Sequence, residues 1–219
     1  ASTNFQERVI DVEHEAKIVY DDPWYWSCLQ NVNPKPDNMR VLEERIEELE
    51  REYVLDVLDG QFKTSKGAVY MTRFEKAFSE KFESKFSISH VNGTATMHSV
   101  LEASGIGLGD EVIVPPLTMS ATSLAVLHAN ATPIFADIDI DTFVIDAKSI
   151  EEKITERTKA IITVALYGLS PDMDPIMDMA NKYDLIVIED NAEAFLSYYK
   201  GNLVGTLGHA ASFSFQSSK

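Results

Sequence analysis

Cysteine is almost absent from this chain, and basic residues are scarce beside acidic ones. Cys28 is the only thiol, so no disulfide can form within the chain and a reducing compartment such as a bacterial-type cytoplasm is expected. The 19 lysine and arginine residues against 35 aspartate and glutamate residues give a net charge of −16. This charge repels nucleic acid and anionic membrane surfaces, so we expect neither as a partner.

Long apolar runs and metal-ligand patterns are also missing. We find no charged-apolar targeting signal and no run of about 18 apolar residues, the length that would predict a membrane span. No Gly-x-Ser-x-Gly elbow occurs. The histidines lack metal-ligand spacing; they are His14, His90, His98, His128 and His209. We therefore expect no metal site, and Ser-His-Asp chemistry is poorly supported.

What is present is enough apolar sequence for a full core. With 219 residues and 45% apolar content, the chain is expected to fold as one domain with an appended segment. Residues 1–40 have no clear period, and Trp24 and Trp26 suggest burial against a partner surface. We interpret this stretch as an N-terminal extension. Residues 41–219 are then the large domain.

Periodicity predicts two amphipathic helices followed by an alternating pattern. The helices are expected at 41–58, with Gly60 placed to end the first, and at 69–82. From residue 86 onward, short apolar runs alternate with helical patterns. Strands are predicted at 86–90, 111–114, 132–136, 160–164 and 185–189, and helices at 94–104, 120–128, 149–154 and 174–183. This alternation predicts an α/β fold with a mostly parallel mixed sheet, helices on both faces, and ligands at the carboxyl ends of the strands.

The turn Asn92-Gly-Thr-Ala-Thr96 has the composition of a phosphate site. Free backbone N–H groups at a helix start, unobstructed because Gly93 lacks a side chain, can cradle a phosphate dianion. The alternative is an ordinary strand-to-helix turn capped by Thr94. It is not a P-loop, because the Gly-Lys-Ser/Thr ending is absent.

Two further residues follow predicted strands. Met119 starts a helix after Val114-Pro-Pro-Leu-Thr118, where its thioether could cover one face of a planar ring, although a core methionine is the simpler alternative. Asp190 ends the apolar run that begins at Leu185, and a buried carboxylate there requires a positive partner. A protonated pyridine nitrogen would serve as that partner; a helix-capping aspartate is the alternative.

Lys219 closes the run Ser212-Phe-Ser-Phe-Gln-Ser-Ser-Lys219. The alternation predicts a strand with Phe213 and Phe215 inward and with hydroxyls able to bond a phosphate oxygen; the serines are Ser212, Ser214, Ser217 and Ser218. A lysine here, with a carboxylate at a buried strand end, meets the needs of covalent catalysis through a Schiff base to pyridoxal 5'-phosphate.

Together these segments resemble the DegT/DnrJ/EryC1/StrS sugar aminotransferases, a fold-type-I group of pyridoxal-phosphate enzymes. The resemblance covers the large-domain part of that family, from about Leu42 to Lys219. It is carried by Asn92-Gly-Thr-Ala95, Gly107-Leu-Gly-Asp-Glu-Val-Ile113, Pro133-Ile-Phe-Ala-Asp-Ile138, Leu166-Tyr-Gly168, Ile188-Glu-Asp190 and Ser212-Phe-Ser-Phe215 with Lys219.

The resemblance implies a role for each site residue. Lys219 would hold the cofactor covalently, and Asp190 would pair with its ring nitrogen. Thr94 and Ala95 would bind the phosphate through their amides, and Ser214 would add a hydroxyl. Two positions depart from the family pattern. Met119 stands at the ring-stacking position, where an aromatic is usual, and Glu193 stands where a glutamine usually contacts the phenolic oxygen.

The resemblance also implies a reaction: transfer of an amino group from an amino acid, usually glutamate, to a nucleotide-linked keto-sugar by a homodimer. Two alternatives stay open, a related sugar dehydratase, in which histidine replaces the lysine, and a non-catalytic regulatory member that retains the cofactor. Family members continue beyond the lysine into a small C-terminal domain. We therefore expect this 219-residue piece to be inactive alone.

Overall fold

The computed structural model describes residues 37–60 and 69–216, and these form two compact units. The first unit contains helices α1 (Asp37–Gly60) and α2 (Val69–Lys81). Both helices match the periodicity predictions closely. The predicted extension lies almost entirely outside the described residues, and its proposed boundary at residue 40 falls inside α1.

Aromatic side chains pack within the first unit. The Tyr53 and Tyr70 rings lie 4.9 Å apart between α1 and α2, and the Arg73 guanidinium lies 5.0 Å from each ring centroid. Phe215 contacts Phe74 edge-on at 5.4 Å. Such tilted and edge-on aromatic pairs stabilise packing beyond the area they bury.

The second unit, residues 82–84 and 88–214, is an α/β fold. Its helices are α3 (Gly93–Ala103), α4 (Ser120–His128), α5 (Ala147–Lys153) and α6 (Met173–Tyr183). Its strands are β1 (Glu111–Val114), β2 (Thr132–Phe135), β3 (Thr158–Val164), β4 (Ile186–Asp190), β5 (Tyr198–Tyr199), β6 (Asn202–Leu203) and β7 (Ala210–Ser212). A 3₁₀ turn, Leu166–Gly168, follows β3.

Five strands form one sheet in the order β2-β1-β3-β4-β7, and every described pairing in it is parallel. The short strands β5 and β6 form a separate antiparallel ribbon. The predicted parallel sheet is confirmed. Successive side chains of a strand point to opposite sides, so the largely buried strands β1, β3 and β4 contribute side chains to both faces of the sheet.

The core therefore has two layers. On one face, Met97 of α3 and Val126 of α4 pack in a cluster with strand residues such as Val112. On the other face, Ile150 of α5 and Ile176 of α6 pack in a second cluster with alternate strand residues. Helices on both faces of the sheet were predicted and are confirmed.

Two strand predictions are wrong. Residues 86–90 form no strand; the alternating apolar side chains Phe86 and Ile88 are 74% and 71% exposed, so the pattern that suggested a strand has no core to face. The predicted Phe-Ser strand ends early, at Ser212, because β7 pairs with β4 and its pairing stops where β4 stops, at Asp190.

No helix in the described part of the chain is both long and apolar enough to cross a lipid bilayer. Within residues 37–60 and 69–216, no cluster of three or more histidine, cysteine or acidic side chains is arranged to hold a metal ion.

Candidate active site

The carboxyl ends of three neighbouring strands lie level at one edge of the sheet. Val164 of β3 pairs in register with Asp190 of β4, and Asp190 pairs with Ser212 of β7. Ligands of open α/β sheets bind outside this edge. The residues that the sequence singles out for chemistry follow these strand ends.

Helix α3 begins beside this edge with a capped turn. Asn92 has an extended backbone, and its side-chain oxygen accepts a hydrogen bond from the Ala95 amide at 2.8 Å. Asn92, and not the predicted alternative Thr94, is therefore the cap. The amides of Gly93 and Thr94 are the first two of the helix, which have no partner within a helix and which favour an anion. The Ala95 amide donates to this cap, and its predicted role in binding a phosphate stays a prediction.

Gly93 packs directly on the segment that follows β7. A Cβ atom at Gly93 would lie 3.3 Å from the Cβ of Ser214, closer than side chains ordinarily pack. The buried Ser212 hydroxyl donates to the Gly93 carbonyl at 3.1 Å. The fold thus brings Ser214 to the turn at 92–95, as the predicted phosphate site requires, while Ser212 holds the two segments together.

Asp190 is a buried carboxylate, 4% exposed. One of its oxygens, Oδ2, accepts from the Thr122 hydroxyl at 2.9 Å, and Oδ1 accepts from the Ala192 amide at 3.2 Å. Both of these donors are neutral, and together they orient the carboxylate. Sequence reasoning missed Thr122; the available signal was its spacing of four residues from Thr118 at a helix start.

Met119 caps the start of α4 and is 59% exposed. The alternative interpretation, a core methionine, is therefore wrong. Its role in covering a cofactor ring stays a prediction.

Glu193 supports the turn that follows β3. Its carboxylate accepts a hydrogen bond from the Tyr167 amide at 3.1 Å. Tyr167 has a φ of +51° and an 87% exposed side chain, and a tyrosine in the left-handed region needs such support. The predicted contact of Glu193 with a phenolic oxygen stays a prediction, and the structure adds a second function for this carboxylate.

Glu189, next to Asp190, is buried at 2% exposure and was not predicted to have a role. Its carboxylate accepts from three backbone amides, those of Gly205 at 2.7 Å, Leu207 at 2.8 Å and Gly208 at 2.6 Å. These donors lie in the loop that leads into β7. Nothing in the sequence near Glu189 indicates partners that are 16 to 19 residues away.

Lys219, Ser217 and Ser218 lie outside the described residues. The covalent role of Lys219 and its placement opposite Asp190 therefore stay predictions.

The described geometry fits a ligand with a phosphate at one end and a basic ring nitrogen at the other. Gly93 lets the first amides of α3 approach Ser214 closely, and Asp190 places a buried carboxyl group at the end of β4. A parallel α/β sheet that carries both features at its carboxyl edge defines the class, a cofactor-binding domain of the fold-type-I kind.

Comparison with known proteins identifies the group within that class. Residues 44–219 match the model of the DegT/DnrJ/EryC1/StrS aminotransferase family. The chain belongs to this family, as its motifs predicted.

Among curated relatives, the GDP-perosamine synthase of Caulobacter vibrioides is 46% identical over 80% of this chain and 47% of its own length. The dTDP-3-amino-3,6-dideoxy-alpha-D-galactopyranose transaminase of Aneurinibacillus thermoaerophilus is 49% identical over 65% of this chain and 39% of its own. The chain thus spans under half the length of either relative.

A solved structure, that of NtdA from Bacillus subtilis with bound cofactor PMP, is 35% identical and superposes with a TM-score of 0.71. The match covers 80% of this chain and 39% of that one. The likeness extends the family assignment to the three-dimensional fold.

Proposed function

We propose that the protein is a pyridoxal-phosphate-dependent aminotransferase that moves an amino group from an amino acid, glutamate being the expected donor, to a nucleotide-linked keto-sugar. The observation that carries the proposal is the position of Asp190. A buried carboxylate at a strand end, oriented by neutral donors and next to the Gly93 turn, is suited to a protonated ring nitrogen.

The relatives support each part of this proposal. Family membership supports amino transfer. Two relatives are named for GDP- and dTDP-linked sugars, which supports a nucleotide-linked substrate and leaves the choice of nucleotide open. A related structure binds PMP, the amino form of pyridoxal phosphate, which supports the cofactor.

The chain's own residues would divide the work as follows. The amides of Gly93 and Thr94 and the Ser214 hydroxyl would hold the phosphate and so fix the cofactor's position. Asp190 keeps the ring nitrogen protonated. The bound cofactor then supplies an electron sink for the carbon from which a proton is removed.

Lys219 would carry the proton. Its amine would hold the cofactor, and the same amine, once freed, would act as the base that takes the proton from the substrate carbon. Met119 would cover the ring from the α4 side. Glu193 would hold the Tyr167 turn and contact the phenolic oxygen.

We also propose a homodimer in a reducing, cytoplasmic compartment. The family resemblance supports the dimer, and the single cysteine supports the compartment. Large apolar side chains such as Leu108, which is 93% exposed, are consistent with an interface.

The test uses the full-length protein. Borohydride reduction in the presence of pyridoxal phosphate should fix the cofactor on Lys219, as read by mass spectrometry of the tryptic peptides, and Lys219→Ala should show no adduct. Glutamate and a nucleotide-linked keto-sugar should then yield an amino-sugar. An adduct at another residue, or none, contradicts the proposal; a dehydrated sugar with no amine transferred would favour the dehydratase.

A further inference from the structure

We propose that Thr122 is a positioning residue for Asp190 and that Thr118 orients Thr122, so that two hydroxyls in series hold the carboxylate for its ring nitrogen. The proposal rests on the proposed function. It begins from the observation that Thr122 is fully buried, at 0% exposure, and that its hydroxyl donates to Asp190 across 68 residues of chain.

The direction of the hydrogen bonds follows from counting protons. A threonine hydroxyl has one proton, and Thr122 donates it to Oδ2 of Asp190 at 2.9 Å. The contact of 3.0 Å between the Thr118 and Thr122 hydroxyls must therefore be donated by Thr118. The series runs from Thr118 through Thr122 to Asp190, and each hydroxyl polarises the next.

The series fixes the plane of the carboxylate. Thr122 binds Oδ2 from helix α4, and the Ala192 amide binds Oδ1 from the turn after β4. Rotation of the carboxyl group would break at least one of these bonds. The Thr122 hydroxyl achieves this without adding a positive charge of its own, as a lysine or arginine in its place would.

Thr118 links this charge to the loop that carries Met119. The loop runs from the end of β1 to the start of α4, and Thr118 sits one residue before the expected ring-covering side chain. The same two hydroxyls would therefore coordinate the residue proposed to lie over the ring with the residue proposed to lie at its nitrogen.

The experiment compares variants of full-length protein titrated with pyridoxal phosphate. Thr122→Val keeps the shape and removes the hydroxyl; Thr122→Ser restores it. Thr163→Val is the matched control, because Thr163 is a buried threonine on β3 whose hydroxyl faces the Ile188 carbonyl at 3.5 Å and not Asp190. The readouts are cofactor affinity, the pH dependence of the bound cofactor's visible absorption, and the melting temperature without cofactor.

We expect Thr122→Val to weaken cofactor binding about tenfold, the effect of one lost hydrogen bond to a charged group, and to shift the absorption profile along the pH axis. Thr122→Ser should restore both readouts. Thr118→Val should shift them in the same direction by less, and Thr163→Val should change neither.

A purely structural role would lower the melting temperature of Thr122→Val and leave affinity and the pH profile at wild-type values, which would overturn the proposal. It would equally be overturned by Thr122→Ser being as impaired as Thr122→Val. If Thr122→Val does not fold, Thr118→Val decides, since wild-type affinity and profile in that variant contradict the series. Wild-type protein that takes up no pyridoxal phosphate would instead refute the proposed function, and this inference with it.

Discussion

The two edges of the parallel sheet each bury a carboxylate, and they treat it differently. At the amino edge, Glu111 is 4% exposed and bonds the Arg157 guanidinium and the Thr155 hydroxyl. At the carboxyl edge, Asp190 is equally buried but is held by a hydroxyl and a backbone amide. The first carboxylate is paired with a cation, whereas a hydroxyl and an amide orient the second.

This difference distinguishes a buried carboxylate that stabilises the fold, Glu111, from one that is proposed to bind a ligand, Asp190. The Thr155 hydroxyl and then the Arg157 guanidinium lower the pKa of Glu111 below its ordinary value, so that this carboxylate is ionised, paired and committed to the fold. At Asp190 a hydroxyl and an amide orient the carboxylate, an arrangement suited to the proposed cationic ring nitrogen. The predictions below test that division, from the largest expected effect to the smallest.

Replacing each carboxylate by its amide should affect the reaction rate at the carboxyl edge and not at the amino edge. Asp190→Asn should lower the aminotransferase rate about 10²–10³-fold, the usual effect of removing one group that stabilises developing charge. Glu111→Gln should leave the rate unchanged. The rate is measured by steady-state kinetics on full-length protein. Similar rate losses in both variants would contradict the division.

Glu189→Gln should destabilise the protein by about 2 kcal/mol, because one of three backbone amides loses its acceptor in a buried site. Glu193→Gln is the matched control, since an amide oxygen can still accept from Tyr167, and it should cost less than about 0.5 kcal/mol. Urea denaturation measures both. Equal effects would show that burial of the Glu189 carboxylate contributes little.

Gly93→Ala should weaken cofactor binding about tenfold, because the added methyl group needs space 3.3 Å from Ser214 at the phosphate cradle. Gly107→Ala is a suitable control, as its added Cβ would meet only the Ala129 carbonyl, at 3.5 Å. Fluorescence titration of the cofactor-free protein gives both affinities. Unchanged binding in Gly93→Ala would place the phosphate elsewhere.

The stabilisation that Glu111 gains from Thr155 and Arg157 should depend on pH. Because the pKa of Glu111 is lowered in the folded state, its stabilisation is fully present above the ordinary glutamate pKa of about 4.3 and disappears as the pH falls through the folded-state value. Glu111→Gln should melt about 2–4 °C below wild type at pH 7, and the difference should shrink below pH 4. Melting curves across this range measure it; a constant difference would contradict the assignment.

Much of this fold could be predicted from periodicity alone. Helix α4 and strand β1 were predicted to the residue, because each has a clear apolar pattern bounded by turn residues. The strand predicted at 86–90 was wrong because it rested on alternation alone. Alternation indicates a strand only if one face has a core to cover. A local pattern does not report which face is covered.

The candidate site was predictable where chemistry sits on the strand ends themselves. Asp190 and the Asn92–Ala95 turn could be selected by residue type and position. Thr122 and the donors to Glu189 could not, because their partners are distant in sequence and are brought close only by the sheet order. Contacts of this kind depend on topology, which single residues do not encode.

The three backbone amides that donate to Glu189 connect strand β4 to the loop before β7, two parts of the molecule that a ligand would otherwise contact separately. Glu189 and Asp190 are consecutive residues whose side chains leave the strand in opposite directions. Glu189 binds the loop that leads through β7 to Ser214, and Asp190 faces Thr122. A shift of strand β4 by a single residue would therefore displace both the proposed phosphate site at Ser214 and the proposed ring-nitrogen partner Asp190. One short piece of backbone thus sets the distance between the two ends of a bound molecule.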